Sequence, residues 1–84
     1  MINEKKIEKQ IRLSDLQKGD QAHIEGFEDD EASLVRLRDM GLHDGIALRV
    51  IKFAPLGDPI EIKTRGFYLS IRKSLANRIL IKRK

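Results

Sequence analysis

Cysteine is absent from this 84-residue chain, so disulfide bonds, thiolate metal sites and thiol nucleophiles are excluded. Long apolar runs are absent too: nothing approaches the roughly 18 residues that cross a membrane, and the first residues lack the apolar stretch of a secretory signal. A chain this short buries only about 60% of its surface on folding, which leaves no room for a deep cleft. The sequence therefore predicts one small cytoplasmic domain with shallow binding sites.

Residues that could build a catalytic or metal site are few and scattered. His23 and His43 are the two histidines of the chain, and two imidazoles do not complete a four-coordinate site. The acidic stretch from Glu28 to Glu31 lacks the alternating spacing of a calcium loop and suits the start of a helix. The serines lie in no nucleophile or phosphate-loop motif. We therefore expect no enzyme activity, no resident metal and no cofactor.

Acidic residues are scarce in the second half of the chain. Residues 1–45 have seven basic and eleven acidic side chains, net −4, whereas residues 46–84 have ten basic and two acidic ones, net +8. Such asymmetry is typical of a surface for nucleic acid or an anionic membrane, or of plain solubility at outward strand positions. Aromatic residues are equally few, and since the core needs Phe53 and Phe67, Tyr68 is left as the one candidate for stacking on a base.

The first half of the chain predicts one helical turn, one strand and one good helix. Ser14 can cap a turn anchored by Leu13 and Leu16, and residues 21–27 alternate as a strand in which Gly26 marks either a bulge or a close approach of another backbone. The helix follows, capped by Asp29 or Asp30. Its apolar stripe consists of Ala32, Leu34, Val35, Leu37 and Met40. Gly41 suits the left-handed position after the helix, with Leu42 folding back onto its last turn.

From Ile46 onward, hydrophobic residues alternate with a period of two, which predicts four short strands. Ile60 and Ile62 are expected to face inward, as are Phe67, Leu69 and Ile71. With the strand before the helix, the fold is predicted to be mainly β: a small, partly open five-stranded barrel with one α-helix between strands one and two and a short helical turn before the last strand.

The segment APLGDP, residues 54–59, has the composition of a stiff turn. Pro55 and Pro59 fix their φ angles, Gly57 permits a positive φ, and Asp58 can accept hydrogen bonds from nearby amides. Leu56 at the tip allows two interpretations. It either folds back over the end of the barrel, or stands exposed as an apolar group on a loop whose order reduces the entropy cost of binding a partner.

Two motifs together resemble the FeoA domain family, the small cytoplasmic partner of the ferrous iron transporter FeoB. The motif RDMGLHDG is followed at the expected interval by VIKFAPLGDPIEIKTRGFYLSIRKSLANRILI, and the resemblance extends from about Leu13 to Lys82. It implies an SH3-like barrel, similar to the C-terminal domain of iron-dependent repressors. The expected division is a flexible leader at residues 1–12 and the barrel domain at residues 13–84.

The resemblance implies an accessory protein of iron(II) uptake that docks on the cytoplasmic region of FeoB and modulates it, and so lies at the inner face of the membrane through its partner. It makes Gly41, Gly45 and Gly66 structural turns. The partner-binding residues it implies are Met40, Leu42, Pro55, Leu56, Gly57, Asp58, Pro59 and Arg72. The family is linked to iron, but the few ligands here support no metal site or cofactor. Transient contact with an anionic membrane is compatible with this function, and a nucleic-acid-binding barrel is the alternative.

Overall fold

The computed structural model describes residues 10–84. These residues form a mainly antiparallel β structure with two short helices and one 3₁₀ turn, Leu13–Asp15. The strands are β1 (Ile11–Arg12), β2 (Gln21–Phe27), β3 (Ala47–Phe53), β4 (Ile60–Thr64), β5 (Phe67–Ile71) and β6 (Ile79–Arg83). The helices are α1 (Ala32–Asp39), between β2 and β3, and α2 (Lys73–Ala76), before β6.

The strands form one sheet in the order β1-β6-β2-β3-β4-β5, with every neighbouring pair antiparallel. The edge strands β1 and β5 do not pair within the described residues, so the curled sheet stays open, as predicted. A register shift between Ile24 and Gly26 confirms the bulge, the first of the two alternatives predicted for β2. The structure adds a second bulge, between Val50 and Lys52 in β3, which strengthens the local twist.

The sheet has six strands rather than five because Ile11 and Arg12 pair with Ile81 and Leu80 of β6. These two residues fall within the stretch expected to be a leader, where their isolated apolar and basic side chains gave no strand pattern. They are held in the sheet by a partner distant in sequence, which local periodicity does not reveal. The rest of the expected leader, residues 1–9, lies outside the described part of the chain.

The core is aliphatic and covers one face of the sheet, as the alternating burial along the strands shows. Its fifteen buried apolar side chains are Leu13, Leu16, Ala22, Ile24, Leu34, Leu37, Leu42, Leu48, Val50, Ile60, Ile62, Ile71, Ala76, Ile79 and Ile81. Phe53 is half-buried and packs against this cluster from its margin. Phe67 is half-buried as well, and its ring lies directly against the backbone of Gly41. The predicted inward positions of β4 and β5 are therefore confirmed, with the aromatic rings at the edge of the core.

The end of α1 follows the predicted geometry, whereas its start does not. Gly41 has a φ of +125°, its N–H donates to the Arg38 carbonyl, and the Leu42 N–H donates to the Leu37 carbonyl, each at 3.0 Å. This bond pattern is a Schellman motif. The helix begins at Ala32 with Glu31 as N-cap and no side-chain cap. The prediction of Asp29 or Asp30 as the cap was wrong, because Asp29 instead accepts the Glu31 N–H and pairs with Arg78.

The apolar side of α1 is narrower than predicted. Leu34 and Leu37 are buried, but Ala32, Val35 and Met40 are exposed. An eight-residue helix has only two turns, and two leucines are enough to attach it to the sheet. Ser14 also has another role than predicted: it lies inside the 3₁₀ turn, and its hydroxyl forms a hydrogen bond with Asn77 Oδ1 at 3.1 Å.

Candidate partner-docking surface

The loop between β3 and β4, residues 54–59, is a compact turn held at its base and in its middle. The Ala54 N–H donates to the Pro59 carbonyl at 3.0 Å, and the Gly57 N–H donates to the Ala54 carbonyl at 2.6 Å. Pro55 and Leu56 are thus the central residues of a hydrogen-bonded turn, in which neither has a positive φ, while Gly57 has a φ of +88°. The Asp58–Pro59 peptide bond is cis. The predicted positive φ of Gly57 is confirmed, and the two hydrogen bonds form the turn that the composition predicted.

Asp58 ties this loop to a second element of the fold. Its Oδ1 accepts the N–H of Lys73, the first residue of α2, at 2.9 Å. The predicted amide acceptor role is confirmed, but the amide comes from fifteen residues along the chain rather than from the loop itself. Because α2 follows β5 directly, the bond joins the tip of the β3–β4 hairpin to the end of the edge strand. A shallow hollow of about 380 Å³ lies there, lined by Asp58, Pro59, Ser70 and Arg72.

Leu56 is 96% exposed, the highest value of any large hydrophobic side chain among residues 10–84. Of the two interpretations open at the sequence level, the one that folds Leu56 over the barrel end is therefore wrong. The side chain contributes little to the domain's own stability, yet it stands on a loop whose backbone is fixed on both sides. An apolar group presented in this way loses little conformational entropy when a partner covers it.

The remaining predicted docking residues fall into two groups at opposite ends of β5. Pro55 through Pro59 and the exposed Arg72 lie at the end where Ile71 pairs with Ile60. Met40, 49% exposed, lies at the other end, next to the contact of Gly41 with Phe67. Five residues of β-strand separate the two groups by about 13 Å. Leu42 belongs to neither surface: it is fully buried, so its inclusion among the partner contacts was wrong and its role is in the core.

Comparison with known proteins decides what kind of domain this is. The family model described as the FeoA domain matches residues 11–83. The chain belongs to the FeoA family. It is 35% identical over 69 residues to a Porphyromonas gingivalis protein named Fe(2+) transport protein A/Fe(2+) transporter FeoB fusion protein. That match covers 82% of this chain and 8% of the fusion protein, so the chain corresponds to a small part of it.

Solved FeoA structures share the fold of this chain. The FeoA protein of Chlorobium tepidum is 40% identical, with a TM-score of 0.81 over 87% of this chain and 70% of its own. FeoA of Stenotrophomonas maltophilia, solved with zinc, is 26% identical, with a TM-score of 0.73 over 86% of this chain and 89% of its own. The latter is described as a procaryotic SH3 domain protein and a candidate ferrous iron transport activating factor. The predicted SH3-like fold is confirmed.

The two histidines of this FeoA domain lie closer together than their separation in sequence suggested. His23 and His43 line one hollow of about 530 Å³, which also includes Asp44 and Arg65. Within residues 10–84, however, no group of three or more potential metal ligands is assembled. The Asp44 carboxylate lies 3.7 Å from the Arg38 guanidinium, and Arg65 lines the hollow with a positive charge. The absence of a tight metal site stays a prediction, based as before on the number of ligands and now also on the positive charge of Arg65 in the hollow.

An ion-pair network connects the residues just before α1 to Arg78, the residue before β6. The Arg78 guanidinium pairs with Asp29 at 2.6 Å and with Glu31. Its hydrogen bond to Asp29, followed by the bond that Asp29 accepts from the Glu31 backbone, lowers the pKa of that carboxyl. The same carboxylates raise the pKa of Arg78. Arg78 is one of the ten basic residues of the second half of the chain, and it is engaged within the fold.

The outer side of β3–β5 has a different electrostatic character. Cross-strand pairing places Arg49 opposite Lys63, and Lys63 opposite Tyr68, so the three exposed side chains form one row. The Lys63 ammonium lies 5.5 Å from the centroid of the Tyr68 ring, within cation–π range. We use the term basic face for the exposed side chains of Arg49, Lys52, Lys63, Arg65, Tyr68 and Arg72.

In the part of the chain that the structure describes, no helix is long and apolar enough to cross a membrane.

Proposed function

We propose that this FeoA domain is a non-enzymatic cytoplasmic accessory of ferrous iron uptake that docks on the cytoplasmic region of a FeoB-type transporter and modulates it. The relative from P. gingivalis supports this proposal, because a fusion with FeoB keeps the two proteins together. The observation that carries it in this chain is the exposed Leu56 on its fixed loop. An apolar side chain on an ordered loop can enter a pocket of a partner at a low cost in conformational entropy.

The loop and its surroundings supply both parts of a small interface. Leu56 and Pro55 offer apolar surface, while Arg72 offers a charged group at the rim of the neighbouring hollow. Asp58 is engaged with the Lys73 amide and so serves to hold the loop rather than to reach a partner. We therefore assign the direct contacts to Leu56, Pro55 and Arg72, and a supporting role to Gly57, Asp58 and Pro59. Met40 lies at the opposite end of β5 from the loop. It contacts the partner only if the partner extends along the whole of β5, and then at the periphery of the interface.

The test is a titration of the full chain into the purified cytoplasmic domain of the transporter, followed by calorimetry. Leu56→Asp should weaken binding by at least about fivefold, or 1 kcal/mol, because it places a charge in an apolar contact. Its free energy of unfolding should change by no more than about 0.5 kcal/mol, because the side chain is exposed. Ser33→Asp is the matched control, since it adds the same charge at an exposed position on α1.

The conservative variant Leu56→Met should bind like the wild type, because it keeps an apolar side chain of similar volume. If Leu56→Asp folds normally and binds like the wild type, the docking role of the loop is refuted. If the wild type itself gives no saturable isotherm with the cytoplasmic domain, the assignment of the partner is wrong. If Ser33→Asp loses as much affinity as Leu56→Asp, the effect is one of net charge and not of the loop.

A further inference from the structure

We propose that the basic face is a contact surface for the anionic lipid headgroups of a membrane leaflet. The proposal rests on the proposed function in one respect: a domain docked on the cytoplasmic part of a transporter lies beside the inner leaflet. Its main support is independent of that docking and comes from the arrangement of charges on the sheet. Fixed cations on one face are attracted by the negative surface potential of a leaflet that contains anionic lipid.

The cations of the basic face are mostly without counter-charges inside the fold. Among residues 10–84, the only ion pair on this face joins Lys52 to Glu61, at 3.9 Å. Arg49, Lys63, Arg65 and Arg72 have no carboxylate within ion-pair distance in that part of the chain. Elsewhere among residues 10–84, four arginines pair with carboxylates, namely Arg12, Arg38, Arg78 and Arg83, whereas Lys18, Arg36, Lys73, Lys82 and Lys84 do not. Repulsion among the uncompensated charges is relieved when an anionic surface covers them.

The shape of the face suits a broad surface better than a narrow ligand. Arg49, Lys63 and Tyr68 extend side by side in one row across three adjacent strands, while Arg65 and Arg72 flank β5 at its two ends. Tyr68 is 59% exposed, and an amphipathic ring beside cations is typical of residues at the level of lipid headgroups. Single-stranded nucleic acid is a poorer fit, because sites for it combine a positive groove with several stacking rings. Here one exposed ring stands on an outward-facing sheet surface.

The test uses the full chain and vesicles of two compositions in a sedimentation assay, with no transporter present. Vesicles of phosphatidylcholine with about one third phosphatidylglycerol should bind the protein at low ionic strength, and pure phosphatidylcholine should not. Each basic residue near an anionic leaflet adds roughly fivefold to binding, so a charge reversal removes tenfold or more. Binding should decrease steeply as salt shortens the screening length.

A matched pair of arginine variants locates the contact. Arg49→Glu should reduce the partition coefficient on anionic vesicles by about tenfold or more. Arg36→Glu reverses the same charge at an exposed position on α1 that also has no carboxylate within ion-pair distance among residues 10–84, and should reduce it by less than about threefold. Leu56→Asn, which removes the docking side chain without changing charge, should leave vesicle binding unchanged.

Four results would overturn the proposal. One is no binding to anionic vesicles at low salt, and another is an equal loss for Arg36→Glu and Arg49→Glu, which would show a diffuse charge effect. A loss caused by Leu56→Asn would move the contact from the basic face to the loop. Binding to single-stranded RNA that persists at physiological salt and depends on Tyr68 would identify nucleic acid as the partner. Because the vesicles lack the transporter, none of these results bears on transporter docking.

Discussion

The contact between Gly41 and Phe67 makes a quantitative prediction about the corner that follows α1. A Cβ added at Gly41 would lie 2.9 Å from Phe67 Cζ and 3.1 Å from Cε1, closer than side chains pack. The backbone there also has a φ of +125°, which residues with a side chain rarely adopt. Gly41→Ala therefore combines two costs, one from the backbone conformation and one from displacement of the ring.

The two costs can be estimated separately. The backbone conformation should cost about 1–3 kcal/mol and the displaced ring about 1–3 kcal/mol more, so the free energy of unfolding should decrease by about 2–6 kcal/mol. In a domain of this size each 1 kcal/mol lowers the melting temperature by about 4–8 °C. Gly57→Ala is the matched control: its φ is +88°, and a Cβ there would meet nothing within 4 Å. That variant should incur the backbone cost alone.

Urea denaturation measures these two costs. It is applied to the wild type, to the single variants Gly41→Ala, Gly57→Ala and Phe67→Leu, and to the double variant Gly41→Ala/Phe67→Leu. The double variant should recover about 1 kcal/mol relative to the sum of its two single changes, because the smaller side chain removes the clash. The reasoning is refuted if Gly41→Ala destabilises no more than Gly57→Ala and the double variant shows no coupling. In that case the Phe67 ring moves aside without cost, and its contact with Gly41 does not stabilise the turn after α1.

Three further predictions concern charge, polarity and metal. Because the Arg78 guanidinium lowers the pKa of Asp29, the ion pair stabilises the fold above the ordinary carboxyl pKa, and this contribution is lost as pH falls below about 4. Arg78→Gln should therefore reduce the decrease in melting temperature at acid pH. An unchanged decrease would contradict this. The buried Thr64 hydroxyl has no hydrogen-bond partner within the described residues. Thr64→Val removes this unsatisfied group and should raise the free energy of unfolding, measured by urea denaturation, by about 1 kcal/mol. A lower free energy of unfolding would instead show that the hydroxyl has a partner. Anaerobic calorimetry should find no iron(II) site tighter than about micromolar, and a one-to-one isotherm abolished by replacing His23 or His43 would disprove this.

Local sequence signals predicted most of the fold because they are also the physical causes of its elements. The alternation from Ile46 onward produces the strands, and Gly41 ends α1 because only a residue without a side chain is comfortable at that φ. The turn at residues 54–59 was likewise predictable from its prolines and Gly57. Each of these features depends on neighbours in the chain, so each can be inferred without knowing the fold.

The features that sequence alone did not predict depend on partners distant in the chain. Asp29 was predicted to cap α1, but Arg78, 49 residues later, competes for its carboxylate. β1 exists because β6 pairs with it, and the Asp58 carboxylate finds an amide in α2. The candidate site follows the same rule: the composition of the loop was readable, whereas the exposure of Leu56 and the separation of Met40 from it required the sheet. Leu42 was wrongly assigned to the partner contacts because its burial depends on the turn after α1, which folds its side chain into the core.

The central claim is that the tip of the 54–59 loop contacts the transporter, and site-specific photocross-linking measures that contact directly. A photoreactive side chain at position 56 should give a covalent adduct with the cytoplasmic region of the transporter in membranes that contain both proteins. The same group in place of the exposed Arg36 on α1 should give little or none. An adduct from position 36 together with none from position 56, at equal expression and melting temperature, would contradict the account.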